Sequence, residues 1–212
     1  MLETGPNSGL DQAFTFWGDE AILASVKQPL LPSIMSLEML CVTKTRPILD
    51  AIVVPNLEQF NYTSSYRGDL PSVALIGFKS KFTNVRQLSF SRSERLNSMF
   101  HGDVMRFCEA FTGVHHVKLD VEDWPYLFAP SPIGLVPGLN SHIRYPVDLW
   151  TELRSLTFNR LHSNWLIGGQ LMAWLVHRRA SSLQRLHMKV KDPIMVKLFK
   201  ALTDVTFCYM NV

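Results

Sequence analysis

The sequence predicts an α/β repeat fold, a solenoid in which short parallel strands alternate with helices. Three observations lead there. One apolar frame occurs seven times along the chain, its copies are spaced by about one strand-plus-helix unit, and segments between them carry apolar residues at helical spacing. The frame is an aliphatic residue, two variable positions, a second apolar residue, one polar position and a third apolar residue. FTNVRQLSF, residues 82–90, shows it: Val85, Leu88 and Phe90 are apolar, while Gln87 and Ser89 between them are polar. Successive side chains of a strand point to opposite faces, so each frame predicts a core-facing row and a solvent-facing row.

Taken in order, Phe14 and Phe16 fit the last two frame positions, but Asp11 fails the first. Full copies follow at Ile34, Leu37 and Met39; Leu57, Phe60 and Tyr62; and Val85, Leu88 and Phe90. Val114, Val117 and Leu119 come next, then Leu153, Leu156 and Phe158, then Leu183, Leu186 and Met188, and finally Val205, Cys208 and Met210. Their first positions are 23, 28, 29, 39, 30 and 22 residues apart. The longest gap holds Pro125, Pro130, Pro132, Pro137 and Pro146 with Gly134 and Gly138. Proline at that density continues neither a helix nor a central strand, so an insertion near 124–147 is expected as a surface loop.

Four helices are expected between strands. Leu70–Phe78 opens with Pro71 in its first turn. His101–Phe111 would turn Val104, Phe107, Cys108 and Phe111 inward. Ser163 caps a helix whose stripe is Trp165, Ile167, Leu171, Trp174 and Leu175, and Pro193–Leu202 gives the last. Gly168 and Gly169 cost that third helix roughly 1 kcal/mol each relative to alanine, which predicts close packing against a neighbour or a kink.

Composition narrows the class. A chain that is 47% hydrophobic and 18% charged reads as folded and soluble rather than disordered. Cys41, Cys108 and Cys208 are far apart and odd in number, as expected of reduced thiols in the cytoplasm or nucleus. The N-terminal region has no basic segment followed by an apolar run, so no secretory signal is read. Trp165–Val176, the most apolar segment, is interrupted by Gly168, Gly169 and Gln170 and falls short of the roughly 20 residues of a membrane span. From His177 to Lys200 seven basic residues face Asp192 alone, within a net charge of +3. That end could attract an acidic peptide, a phosphate or nucleic acid; nucleic acid is not the expected partner, since a solvated flank accounts for the same charges.

No GxSxG, HExxH, GxxxxGKS or GxGxxG signature occurs, so no catalytic residue, metal site or cofactor is predicted and the chain is not expected to be an enzyme. His115 and His116 are adjacent in a strand and should point oppositely, one in and one out. Asp120, Glu122 and Asp123 read as a solvated turn. The tryptophans are expected in core packing rather than base stacking.

The LxxLxL frames, with lead-ins such as LPS, VPN and FTN, resemble the degenerate leucine-rich repeats of fungal, especially mushroom-type, F-box proteins. The resemblance runs from about Leu31 to Met210. It implies an α/β leucine-rich-repeat solenoid: one domain over 1–212 of about seven repeats, an irregular horseshoe arc with parallel strands on the concave face and helices on the convex face. Two departures accompany it. The position three residues after each frame holds Val42, Ser65, Ser93, Glu122, Leu161 and Lys191, so no asparagine ladder can form and the turns must be stabilised otherwise. No F-box-like segment precedes the repeats, so the ligase-docking module is expected to be missing, and the apolar last repeat fits a fragment of a longer protein or a chain that pairs there.

The resemblance implies a protein or peptide substrate, held while a separate F-box recruits ubiquitin-ligase subunits; a stand-alone scaffold or inhibitor would use the same surface. The frames place that surface on Gln59, Asn61, Gln87, Ser89, His116, Lys118, Asp120, Ser155, Thr157, Arg185, His187, Lys189 and Tyr209.

Overall fold

A computed structural model describes residues 12–17, 33–42, 45–64, 75, 77–78, 81–92, 101–119, 126–130, 145–161, 165–177, 185–190, 197 and 206–209. Among these residues eight parallel strands form one sheet whose order follows the chain: β1 Gln12–Trp17, β2 Ile34–Leu40, β3 Gln59–Ser64, β4 Gln87–Arg92, β5 His116–Leu119, β6 Ser155–Leu161, β7 Arg185–Val190 and β8 Thr206–Tyr209. Helices α1 Thr45–Ala51, α2 His101–Ala110 and α3 Trp165–His177 lie between them, with a short 3-10 helix at Pro146–Leu149. The fold is α/β, and neighbouring frames pair in register: Leu37 with Phe60, Phe60 with Leu88, Leu88 with Val117, Val117 with Leu156 and Leu156 with Leu186. Phe14 pairs with Leu37 and Phe16 with Met39, so the incomplete frame at the front is a strand.

Every frame residue of β2 to β6 is buried, from Ile34, Leu37 and Met39 to Leu153, Leu156 and Phe158. The unit extends further upstream than the frame. Leu57 N–H donates to Val54 O, Val85 to Phe82, Val114 to Phe111 and Leu153 to Trp150, each closing a turn before a strand. The residue that opens each turn, Val54, Phe82, Phe111 or Trp150, is itself buried. Phe60, Phe82 and Phe111 are packed ring against ring with centroids 5.2–5.4 Å apart, and Phe107 continues the stack toward Trp150.

Backbone hydrogen bonds link the strand starts to one another. Glu58 O accepts from Arg86 N and Gln87 N, Arg86 O from His115 N and His116 N, and His115 O from Arg154 N and Ser155 N, all at 2.8–3.0 Å. At the other end of β2, Cys41 adopts φ 53° and donates its N–H to Thr63 O.

Helix α2 buries Val104, Phe107 and Cys108, with Phe111 just beyond it, and α3 buries Leu171, Trp174 and Leu175, as their spacings predict. Helix α1 was not legible in the spacing. It is one short stretch, TRPILDA, with Pro47 in its first turn; Thr45, Ile48 and Leu49 face the core, and Thr45 Oγ1 lies 3.0 Å from Tyr62 Oη. Of Leu70–Phe78 only Leu75, which is helical, and residues 77–78 are described, and of Pro193–Leu202 only Lys197, also helical.

The insertion differs from expectation where it is described. Leu127, Phe128, Ala129, Tyr145 and Val147 are buried, and Phe128 packs against Phe158 and Trp174. Asp148 accepts from Tyr145 N–H and from Trp174 Nε1, tying the 3-10 helix to α3. These flanks are core rather than surface loop, because the apolar residues between the prolines have a helix and a strand to pack on. At Gly169 nothing lies within 4 Å of a Cβ, so of the two expected causes, close packing or a kink, close packing does not account for that glycine.

Candidate functional site

On the face opposite the buried frames, strand register lines up two continuous rows. The first runs Ser36, Gln59, Gln87, His116, Ser155, Arg185, Thr206; the second runs Thr15, Glu38, Asn61, Ser89, Lys118, Thr157, His187, Cys208. Gln59, Gln87, His116 and Lys118 are exposed, while Asn61, Ser89, Ser155 and Thr157 are half-buried beside their neighbours. Arg185 and His187 join by register, and Lys189 lies one step further along β7. A third, shorter row includes Thr63 and Ser91, whose hydroxyls are 2.9 Å apart.

One expected member is displaced and another is not described. Asp120, with Glu122 and Asp123, lies outside the described residues. Tyr209 pairs with Met188 and Phe207 with Leu186, while Cys208 pairs with His187. Tyr209 therefore falls in the row of frame residues, and Cys208 of the expected last frame is out of step by one residue, while its other members Val205 and Met210 lie outside the described residues. A one-residue shift exchanges the faces of a strand.

Charge is unevenly placed along the rows. Glu38 on β2 is the acid in them, and Thr15 Oγ1 donates to its carboxylate at 3.4 Å. His116 and Lys118 follow on β5, with Arg185 and His187 on β7.

The edge where the strands begin carries a second set of polar groups, at variable positions of the frame or directly ahead of it. Arg86 Nη1 donates to Gly113 O at 2.6 Å and approaches Glu152 at 3.3 Å. His115 Nε2 lies 2.7 Å from the same Glu152 oxygen, and because an ionised carboxylate only accepts, the ring nitrogen donates. That bond, with the nearby Arg86, holds the Glu152 carboxyl below its usual range. His115 therefore turns to this edge instead of into the core, and His116 faces outward. Gly113 allows the arrangement: a Cβ there would come 2.5 Å from Thr83 O and 2.7 Å from Arg86 Nη1. Beside the cluster, Ser33, Met35, Asn56, Glu58, Asn84 and Arg86 line a cleft of about 400 Å³ across the starts of β2, β3 and β4.

Among the described residues no three His, Cys, Asp or Glu side chains converge on a metal position. Complete burial pushes the Cys108 thiol well above its ordinary pKa, which makes it a core residue and a poor nucleophile. Among the described residues no helix is long and apolar enough to cross a membrane. Comparison with known protein families, with curated proteins and with solved structures finds no match to this chain.

Proposed function

We propose that this chain is a non-enzymatic protein-interaction module, a leucine-rich-repeat-like solenoid whose open sheet face holds an extended segment of a partner protein. The observation that supports it most is the pair of polar rows continuing from strand to strand opposite a wholly apolar face. A parallel sheet covered on both sides carries apolar residues on both. Here Gln59, Gln87, His116 and Lys118 are exposed on one side only. Because the strand backbones are engaged with one another, recognition falls to side chains. Amides and hydroxyls such as Gln59, Asn61, Gln87, Ser89, Ser155 and Thr157 both donate and accept, which suits the N–H and C=O groups of an extended peptide. In a solenoid, strands that follow chain order with helices on one side leave such a strip on the inner, concave surface.

The resemblance to fungal F-box proteins suggests substrate recognition for a ubiquitin ligase as the cellular setting. Affinity capture with mass spectrometry tests both levels. The reading predicts partners held by the wild type and lost by Gln59→Arg/Gln87→Arg, with ligase subunits among the wild-type captures if the setting is right. Partners without ligase subunits would favour a stand-alone scaffold or inhibitor. An identical set from both proteins would contradict the binding face.

A further inference from the structure

The strand-start cleft is not part of the polar rows, yet it opens beside them. Asn56 and Asn84 are the third residues of successive turns, Ser33 directly precedes β2, and Met35, Glu58 and Arg86 are the residues one step before the first paired position of the face. The same periodicity that builds the sheet therefore builds the cleft. Its volume of about 400 Å³ is at the small end of ligand pockets, which run from roughly 300 to 1,000 Å³, and holds one long side chain with its peptide group.

Its charge balance selects the sign of what enters. The cleft has one cation and one anion, but they are not equally committed. Arg86 is drawn to the neighbouring turn, donating to Gly113 O at 2.6 Å and lying 3.3 Å from Glu152. Glu58 uses its backbone carbonyl to accept from Arg86 N and Gln87 N, and its exposed carboxylate has no partner among the described residues. With Arg86 balanced by Glu152, Glu58 is the uncompensated charge. Asn84 donates its Nδ2 to Pro55 O, leaving its amide oxygen as a further acceptor. Half-buried Met35 supplies an apolar wall for an alkyl stem. Glu38 adds a second carboxylate on the adjoining face of β2.

We propose that this cleft receives a lysine or arginine side chain of the extended partner segment, with the cationic head on Glu58 and the stem along Met35. The proposal rests on the binding-face reading above and adds a chemical requirement to it. An anionic group is disfavoured because it would face Glu58 while competing with Glu152 for Arg86. Strands are about 4.8 Å apart and an extended peptide advances about 3.3 Å per residue, so a segment crossing from β2 to β7 has about seven residues. Its basic residue sits over the β2–β4 end, away from Lys118 on β5 and Arg185 on β7.

The test is selection of a random seven-residue peptide library, displayed on phage, against the immobilised chain and three variants. Binders of the wild type are expected to be enriched in Lys or Arg at one position. Glu58→Gln should reduce affinity for a selected peptide about two- to fivefold, the range of an exposed charge pair, and replacing that Lys or Arg of the peptide by norleucine should do the same. Glu58→Lys should remove the basic preference or exchange it for Asp or Glu, with an unchanged circular dichroism spectrum. Binders that lack a basic preference, or that keep it in Glu58→Lys, overturn the cleft assignment; if they are lost in Gln59→Arg/Gln87→Arg, the binding face itself stands. Failure to select any peptide sensitive to that double substitution overturns both.

Discussion

Leu88 and Gln87 are neighbours on β4 with opposite surroundings: Leu88 is 2% exposed within the core, and Gln87 stands on the open face. Leu88→Asp places an unpaired carboxylate between buried Phe60 and Val117 and should cost about 4 kcal/mol or more. Gln87→Ala should change stability by less than about 0.5 kcal/mol. Urea denaturation of both variants checks the pair, and equal tolerance would contradict the assigned faces. This alternation was legible because an apolar and polar period of two has one physical reading. The same period failed at β8, where Phe207, Cys208, Tyr209 and Met210 are all apolar or aromatic and nothing in the sequence marks which set faces the core. Only pairing with β7 fixes that register.

At the scale of single elements, the two kinds of glycine separate. Gly113 lies in the turn before β5, where a Cβ would meet the backbone of Thr83 at 2.5 Å, so Gly113→Ala should destabilise by about 1–3 kcal/mol. Gly169 is exposed inside α3 with open space around it, and Gly169→Ala should stabilise by up to about 1 kcal/mol. Thermal melts of the two variants should move in opposite directions. The turn containing Glu152 makes a pH prediction. Its carboxyl is held below the usual range when folded, so its contribution is present above the unfolded pKa and is lost as pH falls through the folded value. The wild type should therefore lose stability faster than Glu152→Gln on acidification below about pH 4.5; parallel pH profiles would contradict the His115–Glu152 contact. Helices α2 and α3 could be read from spacings of three and four, whereas α1 could not, because seven residues interrupted by proline give too short a stripe. The edge cluster of Arg86, His115 and Glu152 was hidden for a different reason. It joins turns 29 and 37 residues apart in sequence, at positions the frame leaves free.

For the molecule as a whole, one recurring sequence pattern serves both faces of the sheet. Its buried turn residue and three frame residues make a continuous core, and the residues between them make rows that cross the sheet. The α/β class, parallel strands and most row members follow from that repeat. The partner does not, because polar side chains on a sheet face specify what can be bound only through their sum. The proposed role of these rows is to form the surface that binds. It is tested by fluorescence-anisotropy titration of one selected peptide against three proteins: wild type, Gln59→Arg/Gln87→Arg, and Ala173→Arg, which places the same side chain at an exposed position of helix α3. Affinity should fall about tenfold or more in the double variant, a change of about 1.4 kcal/mol or more, and stay within twofold of wild type, on the order of measurement scatter, in Ala173→Arg. Equal affinity for all three proteins would contradict the claim.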